Sequence, residues 1–89
     1  THLRNLTELT LNDLSLTALP EDIGNLVNLR SLQARDNLLK HIPDSLCSLQ
    51  KLETLDLGSN EIEEIPHLIG KLHNLKVFWL DLNQLKTLP

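Results

Sequence analysis

Apolar residues return every 23 positions along this chain, and that period constrains the fold more than any other property. Leu6, Leu29, Leu52 and Leu75 open successive units. Leu9, Leu32, Leu55 and Phe78 follow three residues later, and Leu11, Ala34, Leu57 and Leu80 two beyond those. Next come Leu14, Asn37, Asn60 and Asn83, then Leu16, Leu39, Ile62 and Leu85. Leu19, Ile42, Ile65 and Leu88 each precede a proline, at Pro20, Pro43, Pro66 and Pro89. One array therefore covers the chain, with complete units at 6–28, 29–51 and 52–74 and a partial unit at 75–89. Residues 1–5 match the tail of a preceding unit, since Leu3-Arg4-Asn5-Leu6 parallels Leu26-Val27-Asn28-Leu29.

The spacing has a physical content. Each unit holds an L-x-L segment that alternates with period two, as a half-buried strand does. Leu9 and Leu11 then face inward while Glu8, Thr10 and Asn12 face out. An asparagine after the strand can bond backbone groups that a turn leaves unpaired, so Asn37, Asn60 and Asn83 are expected to form a ladder. The first unit has Leu14 in that slot, which predicts a missing rung and a looser turn near Asp13. Pro20, Pro43 and Pro66 suit the start of short helical segments. Ile23/Leu26, Leu46/Leu49 and Ile69/Leu72 supply an inward i, i+3 stripe behind them. Gly24, Cys47 and Gly70 share one slot, which predicts a demand for a small residue.

The pattern L-x-x-L-x-L-x-x-N-x-L-x-x-L-P resembles the leucine-rich repeat. The expected fold is an α/β solenoid, with parallel strands on a concave face and short helical or irregular segments on the convex side. No unit can bury its leucines alone, so stability depends on neighbours, and terminal units need caps. No cap is evident at either end, and the chain has no methionine. An internal piece of a longer protein, marginally stable by itself, is the expectation.

Catalytic and metal chemistry find little to work with. His2, His41, His67 and His73 show no ligand spacing, and no metal or cofactor is expected. Cys47 stands alone, so no disulfide framework exists, and its slot is occupied by glycine elsewhere, which favours a buried and inert thiol. Glu61, Glu63 and Glu64 lack calcium-loop spacing and flank Ile62 as a solvated rim. Gly24, Gly58 and Gly70 form no phosphate loop. An enzyme is not expected. A formal charge of −4 leaves no cationic excess for nucleic acid, and no apolar run is long enough to span a bilayer.

Binding is expected on the outward strand positions: Glu8, Thr10, Asn12; Ser31, Gln33, Arg35; Thr54, Asp56, Gly58; Val77, Trp79, Asp81. Trp79 stands between inward Phe78 and Leu80, so the chain's sole indole faces out, where tryptophans are enriched as binding hot spots. Acidic side chains outnumber Arg35 there, which fits a basic or mixed-charge protein ligand.

Several strings are similar to the amino-terminal repeats of the LAP family of cell-polarity scaffolds (the Scribble, Lano, Erbin and Densin group). They are Leu11-Asn12-Asp13, Asp36-Asn37-Leu38-Leu39-Lys40, Leu55-Asp56-Leu57-Gly58-Ser59-Asn60-Glu61 and Phe78-Trp79-Leu80-Asp81 with Asn83. The resemblance implies a cytoplasmic scaffold at the cell cortex and basolateral junctions, whose repeats bring it to the membrane and engage polarity proteins. Ala34-Arg35-Asp36 departs from the family's Leu-Arg-Glu by a smaller core residue, so packing in the second unit is expected to differ. Arg35, Asp56, Trp79 and Asp81 carry over as contact candidates. The L-P-x-x-I-G unit also resembles Ras-pathway leucine-rich scaffolds, which would make a small-GTPase pathway component the partner.

Overall fold

The computed structural model describes residues 5–86. The expected tail at 1–4 and the closing Leu88-Pro89 lie outside the described residues. Four short strands, β1 (Glu8–Thr10), β2 (Ser31–Gln33), β3 (Thr54–Asp56) and β4 (Val77–Trp79), form one parallel sheet in chain order. The register is the sequence period itself: Leu9 lies beside Leu32, Leu32 beside Leu55, and Leu55 beside Phe78. The return through each unit brings every strand in from the same side, which is why the pairs are parallel. The ladder continues past the strands, where the amides of Leu11, Ala34 and Leu57 donate to Gln33, Asp56 and Trp79 carbonyls.

Among the described residues, 3-10 helices at Glu21–Asn25, Asp44–Ser48 and His67–Lys71 back the sheet. Pro20, Pro43 and Pro66 stand one residue ahead of them, in extended conformation. Their role differs slightly from a first helical residue. Each proline's carbonyl accepts the helix's opening bond, from Ile23, Leu46 or Ile69, at 3.1 Å. A 3-10 turn stacks residues i and i+3 over each other, which suits the stripe the sequence carries.

The core runs between sheet and helices. Leu29, Leu32, Ala34, Leu39, Leu46, Leu52, Leu55, Leu57 and Ile62 are fully buried. Most of their equivalents in the first and fourth units, including Leu6, Leu9, Leu75, Phe78 and Leu85, are only partly covered, Ile23 being the buried exception. Burial therefore comes from the neighbouring units on both sides, as nearest-neighbour stacking requires. Ala34 is completely enclosed despite its small side chain.

One expectation needs correction. The turn near Asp13 is not loose. Asn37 reaches back one unit, and its Oδ1 accepts the amides of Leu14 and Leu16, both at 3.0 Å. Leu14 itself leaves the slot and is 55% exposed, whereas Asn37 and Asn60 are 5% and 6%. The first unit accommodates this by placing Ser15 as well as Asp13 in the left-handed region, while the equivalent turns use only Asp36, Ser59 or Leu82. The small-residue slot is tight where the next unit's helix is described. A methyl on Gly24 would stand 2.6 Å from the Ser45 carbonyl and 2.8 Å from Ser48 Oγ, but nothing among the described residues lies within 4 Å of one on Gly70. The constraint comes from the next unit's helix, so it acts where that helix is packed alongside. Cys47 is buried, and burial, with the nearby Asp44 carboxylate, pushes its thiol pKa up against the opposing pull of Lys71, as an inert thiol requires.

Candidate concave interaction face

The 23-residue register sorts the outward side chains into three columns across the sheet. Glu8, Ser31, Thr54 and Val77 form the first; Thr10, Gln33, Asp56 and Trp79 form the second. Asn12, Arg35, Gly58 and Asp81, just past the strands, form the third. All twelve outward positions lie on this face. They differ in how free they are. Glu8, Thr10, Val77, Trp79 and Asp81 are exposed, while Asn12, Gln33, Arg35 and Asp56 are half-buried.

Arg35 is spoken for within the chain. Its Nε donates to Asp56 Oδ2 at 3.0 Å, and its two terminal nitrogens donate to the two oxygens of Asp81 at 3.0 and 2.6 Å. The Asp81 contact is the paired, fork-to-fork geometry that guanidinium and carboxylate favour. It spans two units, and Gly58 leaves the room for it. The amide of Gly58 also accepts no crowding: it donates to Asp56 Oδ1 at 3.1 Å, which fixes that carboxylate from below. The Arg35 hydrogen bond holds the Asp81 carboxyl below its ordinary range, and Asp81 first, then Asp56, raises the guanidinium further. Asn12 joins the column from the other side, its Oδ1 accepting the Arg35 amide at 2.7 Å and its Nδ2 reaching Gln33 at 3.4 Å.

This bridge was not foreseen from the residues taken singly. The signal was present: opposite charges two periods apart with a glycine between them. Gly58→Ala tests it. A methyl there would stand 2.5 Å from both Arg35 Cζ and Asp81 Oδ1. No glycine has positive φ, so alanine suits the backbone and only the Arg35 and Asp81 side chains have to move. An NMR pH titration of the variant should return Asp81 upward to the ordinary carboxylate range, with the amide spectrum of the strands retained. An unmoved Asp81 would mean that the bridge tolerates a side chain beneath it.

The asparagine ladder stands as expected at three positions. Asn37, Asn60 and Asn83 donate to Leu11, Ala34 and Leu57 carbonyls of the preceding unit at 2.9, 3.0 and 2.9 Å. The histidines behave less simply than their scatter in sequence implies. His41 and His67 line one open cleft of about 400 Å³ with Asp44 and Glu64. Among the described residues, however, no group of three side chains is placed to hold a metal ion. No helix among the described residues is long and apolar enough to cross a membrane.

A leucine-rich repeat region family model matches residues 1–89. No curated protein matches. A leucine-rich repeat protein of Leptospira interrogans is 38% identical and superposes with a TM-score of 0.95, covering 99% of this chain and 22% of that one. The plant peptide hormone receptor RGFR1, solved with RGF2, is 40% identical with a TM-score of 0.87 over 94% of this chain and 14% of its own. The ectodomain of the Arabidopsis thaliana receptor kinase GASSHO1/SCHENGEN3, solved with CASPARIAN STRIP INTEGRITY FACTOR 2, is 34% identical with a TM-score of 0.81, covering 94% of this chain and 10% of that one. The chain thus spans a quarter or less of each of these longer proteins. Register, ladder, buried leucines and family match agree: the chain belongs to the leucine-rich repeat family.

Proposed function

We propose that this chain is a non-enzymatic protein-interaction module that binds its partner on the concave strand face. The observation that carries the reading is Trp79. It is 52% exposed on β4, two residues from Val77 and across from Asp56, at an outward position that adds nothing to the buried core. A large aromatic left in water on a curved polar face is a surface kept for contact. The solved complexes of RGFR1 and GASSHO1/SCHENGEN3 support a protein or peptide as the kind of ligand. The finer proposal is a cytoplasmic scaffold in cell polarity and junction organisation. Its support is the set of LAP-like strings at the strand edges, of which Phe78-Trp79-Leu80-Asp81 includes the exposed indole.

The test is quantitative capture of partners on the wild-type chain and on Trp79→Ala, with circular dichroism to confirm that both are folded. Loss of a hot-spot tryptophan costs about 2 kcal/mol or more, so retention of a true partner should fall about thirtyfold. Polarity proteins among the lost set would support the scaffold assignment; a set of small-GTPase pathway proteins would replace it. Unchanged capture by the folded variant would remove the concave face as the site.

A further inference from the structure

We propose that the concave face receives an extended, basic segment of its partner, with an apolar side chain against Val77 and Trp79 and a cationic side chain over the Asp56–Asp81 side. This rests on the interaction-module reading and specifies the chemistry of the ligand. Val77 and Trp79, 39% and 52% exposed, are the large apolar side chains left open on the strands among the described residues. They lie two residues apart on the same side of β4, so together they make a single apolar platform.

Charge across the face is uneven. Where the strands begin, Glu8 and Glu53 are balanced by Arg30 and Lys76, and Lys76 lies 3.9 Å from Glu53. Where the strands end, positions 10–13, 33–36, 56–59 and 79–82 hold Asp13, Asp36, Asp56 and Asp81 with Arg35 as their sole cation. That one guanidinium is already bonded to two of the four carboxylates. An incoming anion would meet a neutralised cation inside an acidic border. An incoming Lys or Arg would meet surplus carboxylate and the face of an indole, which attracts cations. Four strands at a spacing of about 4.8 Å span about 14 Å, a distance that four or five extended residues cover. A short segment crossing the sheet can therefore touch both the platform and the acidic side.

Arg35 makes the proposal sharp, because it competes with the ligand's cation for Asp56 and Asp81. Removing it should strengthen binding, an effect that damage to the fold would not produce. The experiment uses the full chain and three labelled synthetic peptides: arginine alternating with leucine, glutamate alternating with leucine, and serine alternating with leucine. Fluorescence anisotropy gives affinity, and emission of Trp79, the sole tryptophan, reports whether the peptide sits at β4. The arginine peptide should bind best, shift Trp79 emission, and weaken as salt screens the face. Arg35→Gln should tighten it about threefold and Asp81→Asn weaken it about threefold, the range of partly exposed charge pairs. Melting curves of both variants confirm folding. Equal or better binding of the glutamate or serine peptide would overturn the basic-segment proposal while leaving the concave face as a site. So would weaker arginine-peptide binding in Arg35→Gln, or no response of Trp79 to any peptide. The Trp79→Ala capture decides the broader reading independently.

Discussion

Asn60→Ala is expected to destabilise the chain by about 3 kcal/mol, although it removes only one small polar side chain. The Nδ2 group of Asn60 donates to the carbonyls of Ala34, Leu57 and Gly58, each at 3.0 Å, and its Oδ1 accepts the Leu39 amide at 3.1 Å. The residue is buried, so water cannot take over those bonds. An orphaned buried backbone group costs about 1–3 kcal/mol. Alanine orphans the Leu39 amide and strips one bond each from the Ala34, Leu57 and Gly58 carbonyls, which keep only Asn37, Asn83 and the Asp36 amide. Against a total stability of about 4–13 kcal/mol for a chain of this length, that is a large fraction. Asn60→Asp should be no better. It keeps the acceptor for Leu39 but turns a second oxygen, in place of the donor, toward three carbonyls. Leucine is not a rescue either: Leu14, which has that column position in the first unit, turns out to solvent and requires an extra left-handed residue at Ser15. Urea denaturation with a constant m-value measures the loss. A drop no larger than that of an exposed control such as Asn74→Ala would refute the account of the ladder.

The same ladder shows how far the fold was legible in the sequence. The period predicts which residues stack, because stacking is a translation by one unit and translation preserves register. Leu32 above Leu55, Asn37 beside Asn60, and Trp79 facing out beside Asp56 all follow from counting. What counting does not give is direction. Asn37 serves the turn before it, so the missing asparagine at Leu14 leaves its own turn tied, contrary to the expectation of a loose one. Nor does it give the reach of a long side chain. Arg35 passes over its immediate neighbour to bond Asp81 two units on, because Gly58 removes the intervening side chain. Three residues that looked like separate candidate contacts are one bridged group. Nor does counting show what presses on Gly24, which is the following helix through Ser45 and Ser48.

Leu55→Ala should cost about 2–5 kcal/mol, the range for deleting a fully buried leucine, and it should also split the unfolding transition. Leu55 is fully enclosed between Leu32 of β2 and Phe78 of β4. In a stack where each unit touches only its neighbours, a cavity there weakens two interfaces at once and leaves β1 joined to β2. The fourth unit then depends, among the described residues, on the weakened β3–β4 contact and on the partly exposed Arg35–Asp81 bridge. Trp79 stands in that unit and is the only tryptophan, so its emission follows the fourth unit while far-UV circular dichroism follows the whole array. In the variant the emission midpoint should fall below the dichroism midpoint. Leu9→Ala serves as the control, because Leu9 is only partly buried and lies in the first unit. It should cost less and leave Trp79 tracking the rest or unfolding after it. Coincident midpoints in Leu55→Ala would show that the units melt as one block. Coupling would then extend beyond nearest neighbours, and the bridge from Arg35 to Asp81, which skips a unit, is the contact that could carry it.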